Sequence, residues 1–385
     1  MKIFKLIFRN IFRHKLRAAL TVLGIAIAVM AFGLIRTMVG AWYQGSEASA
    51  PDRIITRQAV SFIFPLPLAD KDQIARVPGV KEVTWLNWFG GVYKDKNSFF
   101  ARMACDPETF ADIYPEYQLT PDELATFKKE RNSCIVGKKL AELYHFKIGD
   151  VIPLDGDIFP GKWEFVVRGI YTGAKPTTDQ SSMYFHWDYL NERVAATMPT
   201  RANNVGWYVI KIANPSEAAT VSARIDALFK NSAAETKTET EKAFASGFIA
   251  MSSAIITGLQ LISYVIIGII FLVLANTMIM TARERIREYA VLKTLGFTGQ
   301  HIAMLVFGES LGMALLGGLI GIALIFPISA GFGKAMAQFF SYLVVEPSTV
   351  IIAATLTILV GLVAGFFPAI TSMRIKIVDG LRQIG

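Results

Sequence analysis

Apolar positions along the 385 residues fall into two regimes. In four stretches, roughly Ala18–Tyr43, Phe248–Thr281, Ile302–Ile328 and Val350–Ile370, they run almost unbroken for at least the about 20 residues that a helix needs to cross a bilayer. Between the first and second stretches the pattern turns to short mixed runs. Strands are expected at Arg53–Gln58, Val80–Trp88, Ser98–Met103, Asp150–Leu154, Glu164–Ile170 and Val205–Ile212. Helices are expected at Asp70–Val77, Pro121–Glu130, Lys138–Tyr144 and Ser216–Lys230, the last capped by Asn214 or Ser216. Helix and strand pieces at both ends flank a strand-richer middle. That order implies a small α/β module, discontinuous in sequence, with a second subdomain inserted; its roughly 200 residues can bury a core of their own.

Two segments depart from a plain spanning pattern. Ala243 to Ala282 holds 40 residues without a charge. As one helix this is about 60 Å, against a hydrocarbon core of about 30 Å. The first half is also the more polar, with Ser246, Ser252, Ser253, Thr257 and Gln260. A continuous helix over 243–281 that leaves the membrane as a stalk and joins the outer region accounts for both features. At the N-terminus, Lys2, Lys5, Arg9 and Arg13 recur at helical spacing while Phe4, Ile7, Phe8, Ile11 and Phe12 take the other side. Residues 1–17 therefore read as an amphipathic helix lying on the inner membrane surface.

Charge sets the orientation. The stretch Gln44 to Lys242 carries 24 Lys and Arg against 26 Asp and Glu, a net of −2, which leaves +10 for the rest of a chain whose total is +8. The basic clusters lie before the first span, after the second (Arg283, Arg285, Arg287, Lys293) and after the fourth (Arg374, Lys376, Arg382). In a four-span topology these fall on one side, and the excess of Lys and Arg makes that side cytoplasmic. The expected organisation is then a cytoplasmic amphipathic helix at 1–17, spans at 18–43, 243–281 (with the stalk), 302–328 and 350–370, and an extracytoplasmic α/β domain at 44–242. A cytoplasmic loop at 282–301, a short outer loop at 329–349 and a cytoplasmic tail at 371–385 complete it. With 53% hydrophobic and only 18% charged residues, disorder is excluded, and the near-neutral folded middle argues against nucleic acid.

Candidate chemistry is sparse. Glycines four apart (Gly308 and Gly312, Gly317 and Gly321, Gly361 and Gly365) allow close helix approach. Glu309 and Arg36 are ionisable residues inside spans, which makes them functional candidates by default; a partner for Glu309 and snorkelling for Arg36 are the structural readings. The four histidines have no ligand spacing, no catalytic constellation emerges, and no metal or cofactor site is expected in the chain. Cys105 and Cys134 are the only cysteines, either bridged or buried as free thiols.

The loop between the second and third spans is the most specific segment. Asn276-Thr277-Met278-Ile279-Met280 leads into Arg283-Glu284-Arg285-Ile286-Arg287-Glu288-Tyr289-Ala290-Val291-Leu292-Lys293-Thr294-Leu295-Gly296. Tyr289, Leu292 and Leu295, with Val291 beside them, are expected to form one apolar face on a short helix ended by Gly296. Arg283, Arg287 and Lys293 keep the rest wet, and Glu284 is placed to pair with Arg287.

This segment resembles the coupling region of the MacB/LolC/FtsX family of ABC transporter permeases. The likeness extends to Asn10–Arg17, Thr21–Ile25, Val136–Ala141, Ile148–Ile152, Phe367–Ala369 and Val378–Arg382. It implies a MacB-like, porter-like αβ module with an inserted β-rich subdomain outside the membrane, and an FtsX-like transmembrane part. It also implies a multi-pass protein of the bacterial inner membrane and a coupling site made of Arg287, Glu288, Tyr289, Val291, Leu292, Lys293, Leu295 and Gly296. In such permeases two copies, or one copy and a paralogue, pair with two ATP-binding subunits. No Gly-x-x-x-x-Gly-Lys-Ser/Thr phosphate loop occurs in the sequence, so ATP and Mg are expected in a separate ATPase chain, and this chain is expected to be non-catalytic. The implied action is mechanotransmission, with work done outside the membrane for efflux or envelope export through a periplasmic adaptor and an outer-membrane channel. LolC-like lipoprotein extraction and FtsX-like regulation of a cell-wall hydrolase are the alternatives.

Overall fold

A computed structural model of the chain describes residues 2–47, 49–95, 98–336 and 343–377. The centre of the 329–349 loop and the Val378–Arg382 motif lie outside the described residues. Chain order begins with α1 (Lys2–Ile11), α2 (Lys15–Glu47), β1 (Arg53–Gln58), β2 (Leu66–Pro67), α3 (Asp70–Ala75), β3 (Val80–Trp88), β4 (Arg102–Cys105) and α4 (Pro107–Ile113). Next come β5 (Tyr117–Gln118), α5 (Pro121–Lys129), β6 (Ser133–Gly137), α6 (Lys138–Tyr144), β7 (Val151–Gly156), β8 (Gly161–Gly173), β9 (Met183–His186) and α7 (Trp187–Thr197). The chain continues through β10 (Asn204–Val205), β11 (Trp207–Ile212), α8 (Ala218–Leu228), β12 (Thr236–Thr240) and α9 (Glu241–Met251). It closes with α10 (Ser253–Glu284), α11 (Ile286–Thr294), α12 (Gly299–Ala335) and α13 (Pro347–Arg374).

Two compact units result: a membrane unit (Met1–Gly40, Ser253–Phe332 and Leu343–Gly385) and an outer unit (Ala41–Ser252 with Gly333–Tyr342). Among the described residues of the membrane unit, four helices are long and apolar enough to cross a bilayer, at Lys15–Tyr43, Ser253–Glu284, Gly299–Ala335 and Pro347–Arg374. Their glycines serve close packing. A Cβ on Gly308 would meet Ile7 Cδ1 at 2.4 Å, and one on Gly312 would meet Ile11 Cδ1 at 2.5 Å. The amphipathic α1 therefore seats Ile7 and Ile11 in a groove of α12, so these two apolar side chains are spent on protein contact and not on lipid. Ile25 and Val29 of α2 fill the next groove, over Gly317 and Gly321.

The outer unit is built on a 10-stranded sheet of order β12-β1-β11-β3-β4-β9-β6-β8-β5, with β7 hydrogen-bonded to β8. The terminal pieces supply β12-β1-β11-β3, and the inserted residues continue the same sheet from β4 onward through the Leu86–Cys105 pairing. Both faces are covered. Ile74 of α3, Leu140 of α6, Leu190 of α7 and Val221 and Ile225 of α8 close one apolar layer. Phe110 and Ile113 of α4 and Phe127 of α5 close the other. Local chemistry fixes the helix starts: Thr120 and Glu123 form a reciprocal capping box on α5, Asp106 caps α4 and Thr240 caps α9. Asn214 caps the 3₁₀ turn that leads into α8.

The continuous stalk helix expected over 243–281 is two helices. At Ser252 the backbone leaves helical geometry (φ −91, ψ 9), and α9 ends there before α10 begins. The cysteines are free. Cys105 on β4 and Cys134 on β6 are separated by the whole of β9, so their Cα atoms are about 10 Å apart at ordinary strand spacing, beyond disulfide reach. They also belong to opposite apolar layers, and burial pushes both thiols up, which makes them inert.

His186, at the end of β9, is buried with its Nε2–H donating to the Phe127 carbonyl. Burial lowers its pKa despite that bond. A histidine depressed in the folded state contributes stability above the unfolded value of about 6.5 that is lost as pH falls. Thermal melts of the full chain should therefore lose midpoint between pH 7.5 and pH 5. In His186→Phe that acid decline should be shallower, even if the midpoint at pH 7.5 is also lower. An unchanged decline would mean that His186 does not set it.

Candidate functional site

The loop between α10 and α12 folds as α11, and its composition is read out by two different environments. At 3.6 residues per turn, successive side chains rotate by about 100°, so Val291 lies about 160° and Leu295 about 120° around the helix from Tyr289, while Leu292 stands about 60° from both Tyr289 and Leu295. Tyr289 is 1% exposed and Leu292 packs against the same membrane-unit core, whereas Val291 is 47% and Leu295 72% exposed. The single apolar face expected from sequence is thus two ridges. One is anchored inward and the other is open. Burial pushes the Tyr289 phenol up to about 12, so it is neutral in that core.

The helix ends as expected at Gly296, for a reason visible in its hydrogen bonds. Gly296 takes φ +94, its N–H donates to the Lys293 carbonyl, and the Phe297 N–H donates to the Leu292 carbonyl. This is a Schellman closure, which favours glycine at the left-handed position. Lys293 is bound rather than wet. Its Nζ donates to the carbonyls of Met373 (2.9 Å) and Ile375 (2.6 Å), capping the negative end of α13.

The other anchor is a chain of ion pairs. Arg285, in the turn between α10 and α11, is buried and donates from Nη1 to Glu309 Oε2 of α12 at 2.9 Å and from Nε to Glu288 Oε2 at 3.1 Å. Glu288 also accepts from Arg13, and Glu284 takes both Nη atoms of Arg17, at 2.7 and 2.9 Å. Burial works against the Arg285 charge, but Glu309 and Glu288 outweigh it and hold its pKa above the ordinary value. Burial likewise opposes the Glu288 charge, and its two arginines outweigh it, so its carboxyl is held low.

Of the residues singled out from sequence, Glu288, Tyr289, Leu292, Lys293 and Gly296 therefore hold α11 in place. Val291 and Leu295 face outward, and Arg287 is exposed. Glu309 joins the site through Arg285; Arg36 does not, and lies exposed on α2. Arg285, Arg13, Arg17 and Glu284 were missed as site residues. Periodicity cannot connect residues this far apart, and the one available signal was that a carboxylate inside a span needs a cation. Among the described residues no group of His, Cys, Asp or Glu could hold a metal.

Four spanning helices, a large α/β unit inserted after the first, and a short anchored helix between the second and third define an ABC transporter permease with an extracytoplasmic domain. Residues 18–228 match the family model of the MacB-like periplasmic core domain, and residues 260–377 match that of the FtsX-like permease C-terminal region. The chain belongs to this MacB-like permease family. It is similar over nearly its whole length to an uncharacterised ABC transporter permease, MJ1507, of Methanocaldococcus jannaschii: 24% identical over 401 residues, covering 97% of this chain and 96% of that one. The macrolide export ATP-binding/permease protein MacB of Burkholderia lata is 32% identical over 108 residues, 28% of this chain and 15% of the relative's own length. Among solved structures, the periplasmic region of MacB from Actinobacillus actinomycetemcomitans aligns with 51% of this chain and 92% of its own at 12% identity, with a TM-score of 0.37.

Proposed function

We propose that this permease is a mechanotransmission subunit. ATP and Mg are held and ATP is hydrolysed by a separate ATPase chain, two copies of which engage two permease subunits, and the resulting motion is delivered to the extracytoplasmic domain for efflux or envelope export. The observation that supports this reading best is the construction of α11. An exposed apolar ridge, Val291 and Leu295, sits on a helix tied to α12 through Arg285 and Glu309, to α13 through Lys293 and to the N-terminal segment through Arg13. A load on the ridge is then passed to three elements of the membrane unit at once. Lipoprotein extraction and hydrolase regulation would use the same coupling and differ only in what the outer domain meets.

The ridge is small, so its affinity should rest on few anchors, each worth about 2 kcal/mol or more. Leu295→Asp, at an exposed position, should leave the melting midpoint of the chain unchanged while abolishing co-purification with its ATPase. Tyr289→Asp should instead prevent folding. Full ATPase recovery with Leu295→Asp and Val291→Asp combined would refute α11 as the coupling element.

A further inference from the structure

Within the outer unit lies a cleft of about 720 Å³, inside the range of about 300–1,000 Å³ usual for small-molecule sites. Its lining is aromatic and aliphatic, including Phe64, Trp88, Trp207 and Phe248. Among the described residues the lining contains one charged side chain, Arg201, and no carboxylate. Phe64 is 53% and Met251 66% exposed, a concentration of wet apolar surface that an occupant would cover. Arg201 is exposed, and its described hydrogen bond is a 3.3 Å contact from Nη1 to the Ile158 carbonyl, which leaves the rest of the guanidinium fork for an anion.

The cleft is also built into the end of α9. Phe62 meets Phe248 in a tilted contact at 4.8 Å between ring centroids, Phe244 meets Phe248 at 5.1 Å and Trp207 at 5.7 Å, and Met251 and Ser252 complete the wall. Ser252 is the residue at which the helical run breaks before the second span begins. A molecule in the cleft would therefore bear on the link between the outer unit's last helix and the membrane helix that follows it.

We infer that this cleft binds a single-chain anionic amphiphile, with its apolar body against the aromatic lining and its headgroup on Arg201. Its service as cargo or as a signal to the transport cycle rests on the function proposed above; the binding itself does not.

The test uses the full chain in phosphatidylcholine nanodiscs, with empty nanodiscs subtracted, and 11-(dansylamino)undecanoic acid as probe. Tryptophan-to-dansyl energy transfer should saturate. Arg201→Glu should weaken binding of the acid by about tenfold or more, the loss of one charge-assisted contact, while its methyl ester stays within about twofold. Phe64→Asp should weaken both probes. Displacement by lauric acid alone would assign the site to carboxylate amphiphiles, and displacement by lysophosphatidylglycerol to lipid headgroups; either supports the inference. No saturable transfer, or equal affinity of wild type and Arg201→Glu for the acid, would overturn it. Because the assay contains no ATPase, a failure here is distinguishable from a failure of Leu295→Asp to release the partner.

Discussion

Glu309→Ala should lower the stability of the membrane unit by about 3–5 kcal/mol, the cost of leaving one member of a buried ion pair without its partner. Arg285 is 7% and Glu309 3% exposed, so water cannot replace the lost contact. The guanidinium, left with Glu288 as its one countercharge, would also strain that bond, and through it the hold on Arg13. The expected readout is a lower midpoint and a broader melt of the detergent-held full chain, with α11 amides exchanging faster than those of α12. Arg285→Met combined with Glu309→Met should recover most of the midpoint, since an apolar pair of similar volume needs no desolvation offset. If Glu309→Ala melts like wild type, or if the double variant loses as much as Arg285→Met and Glu309→Met made singly and added together, the pair does not anchor α11. The double variant then separates stability from coupling: it should fold, yet turn over ATP with the partner bound and drive less transport, because α11 would no longer be held in one position.

How far the sequence reveals this site follows from the range of each interaction. Spans are legible because composition over about 20 residues decides them. Gly296 is legible because a Schellman closure is local. The division of α11 into an inward ridge and an outward ridge is not, because Tyr289, Val291, Leu292 and Leu295 are all apolar and only the packing of α10, α12 and α13 decides which of them is covered. Glu309 stood out by type, while its partner Arg285 was hidden among four basic residues of one loop. In the outer unit β1 and β3 are recovered to the residue by their flanking turns. β6 and β9, buried along their whole length in the middle of the sheet, show no alternation and were not expected. The break at Ser252 has no sequence signature stronger than a serine pair, and a charge-free run reads straight through it.

Arg53→Met should be as damaging to the outer unit as Glu309→Ala is to the membrane unit. Arg53 is the first residue of β1 and is 3% exposed. It donates from Nε to Glu241 at 2.9 Å, from Nη1 to Glu116 and to the Ile113 carbonyl, both at 2.9 Å, and from Nη2 to Glu116 at 2.5 Å, with its guanidinium 4.4 Å from the Tyr114 ring centroid. Burial disfavours that charge, but the bond to Glu116 and the field of Glu241 outweigh it and raise the pKa above its ordinary value. Glu241 is the first residue of α9 and also accepts the Ala50 N–H, so one guanidinium ties the entry of β1, the segment after α4 and the start of α9. Removing it leaves Glu116 and the Ile113 carbonyl without this donor and Glu241 with the Ala50 N–H but no countercharge, which should cost about 3–5 kcal/mol. Arg53→Lys should recover little, because an ammonium cannot span Glu116, Glu241 and Ile113 at once. Adding Glu116→Gln and Glu241→Gln to Arg53→Met should restore part of the loss by removing the unpaired charges. Hydrogen exchange of the full chain should show α9 and β1 losing protection together, while α12 and α13 keep theirs. A midpoint for Arg53→Met equal to that of wild type would show that α9 is held by its apolar contacts, Phe244 on Trp207 foremost, and not by this ionic tie.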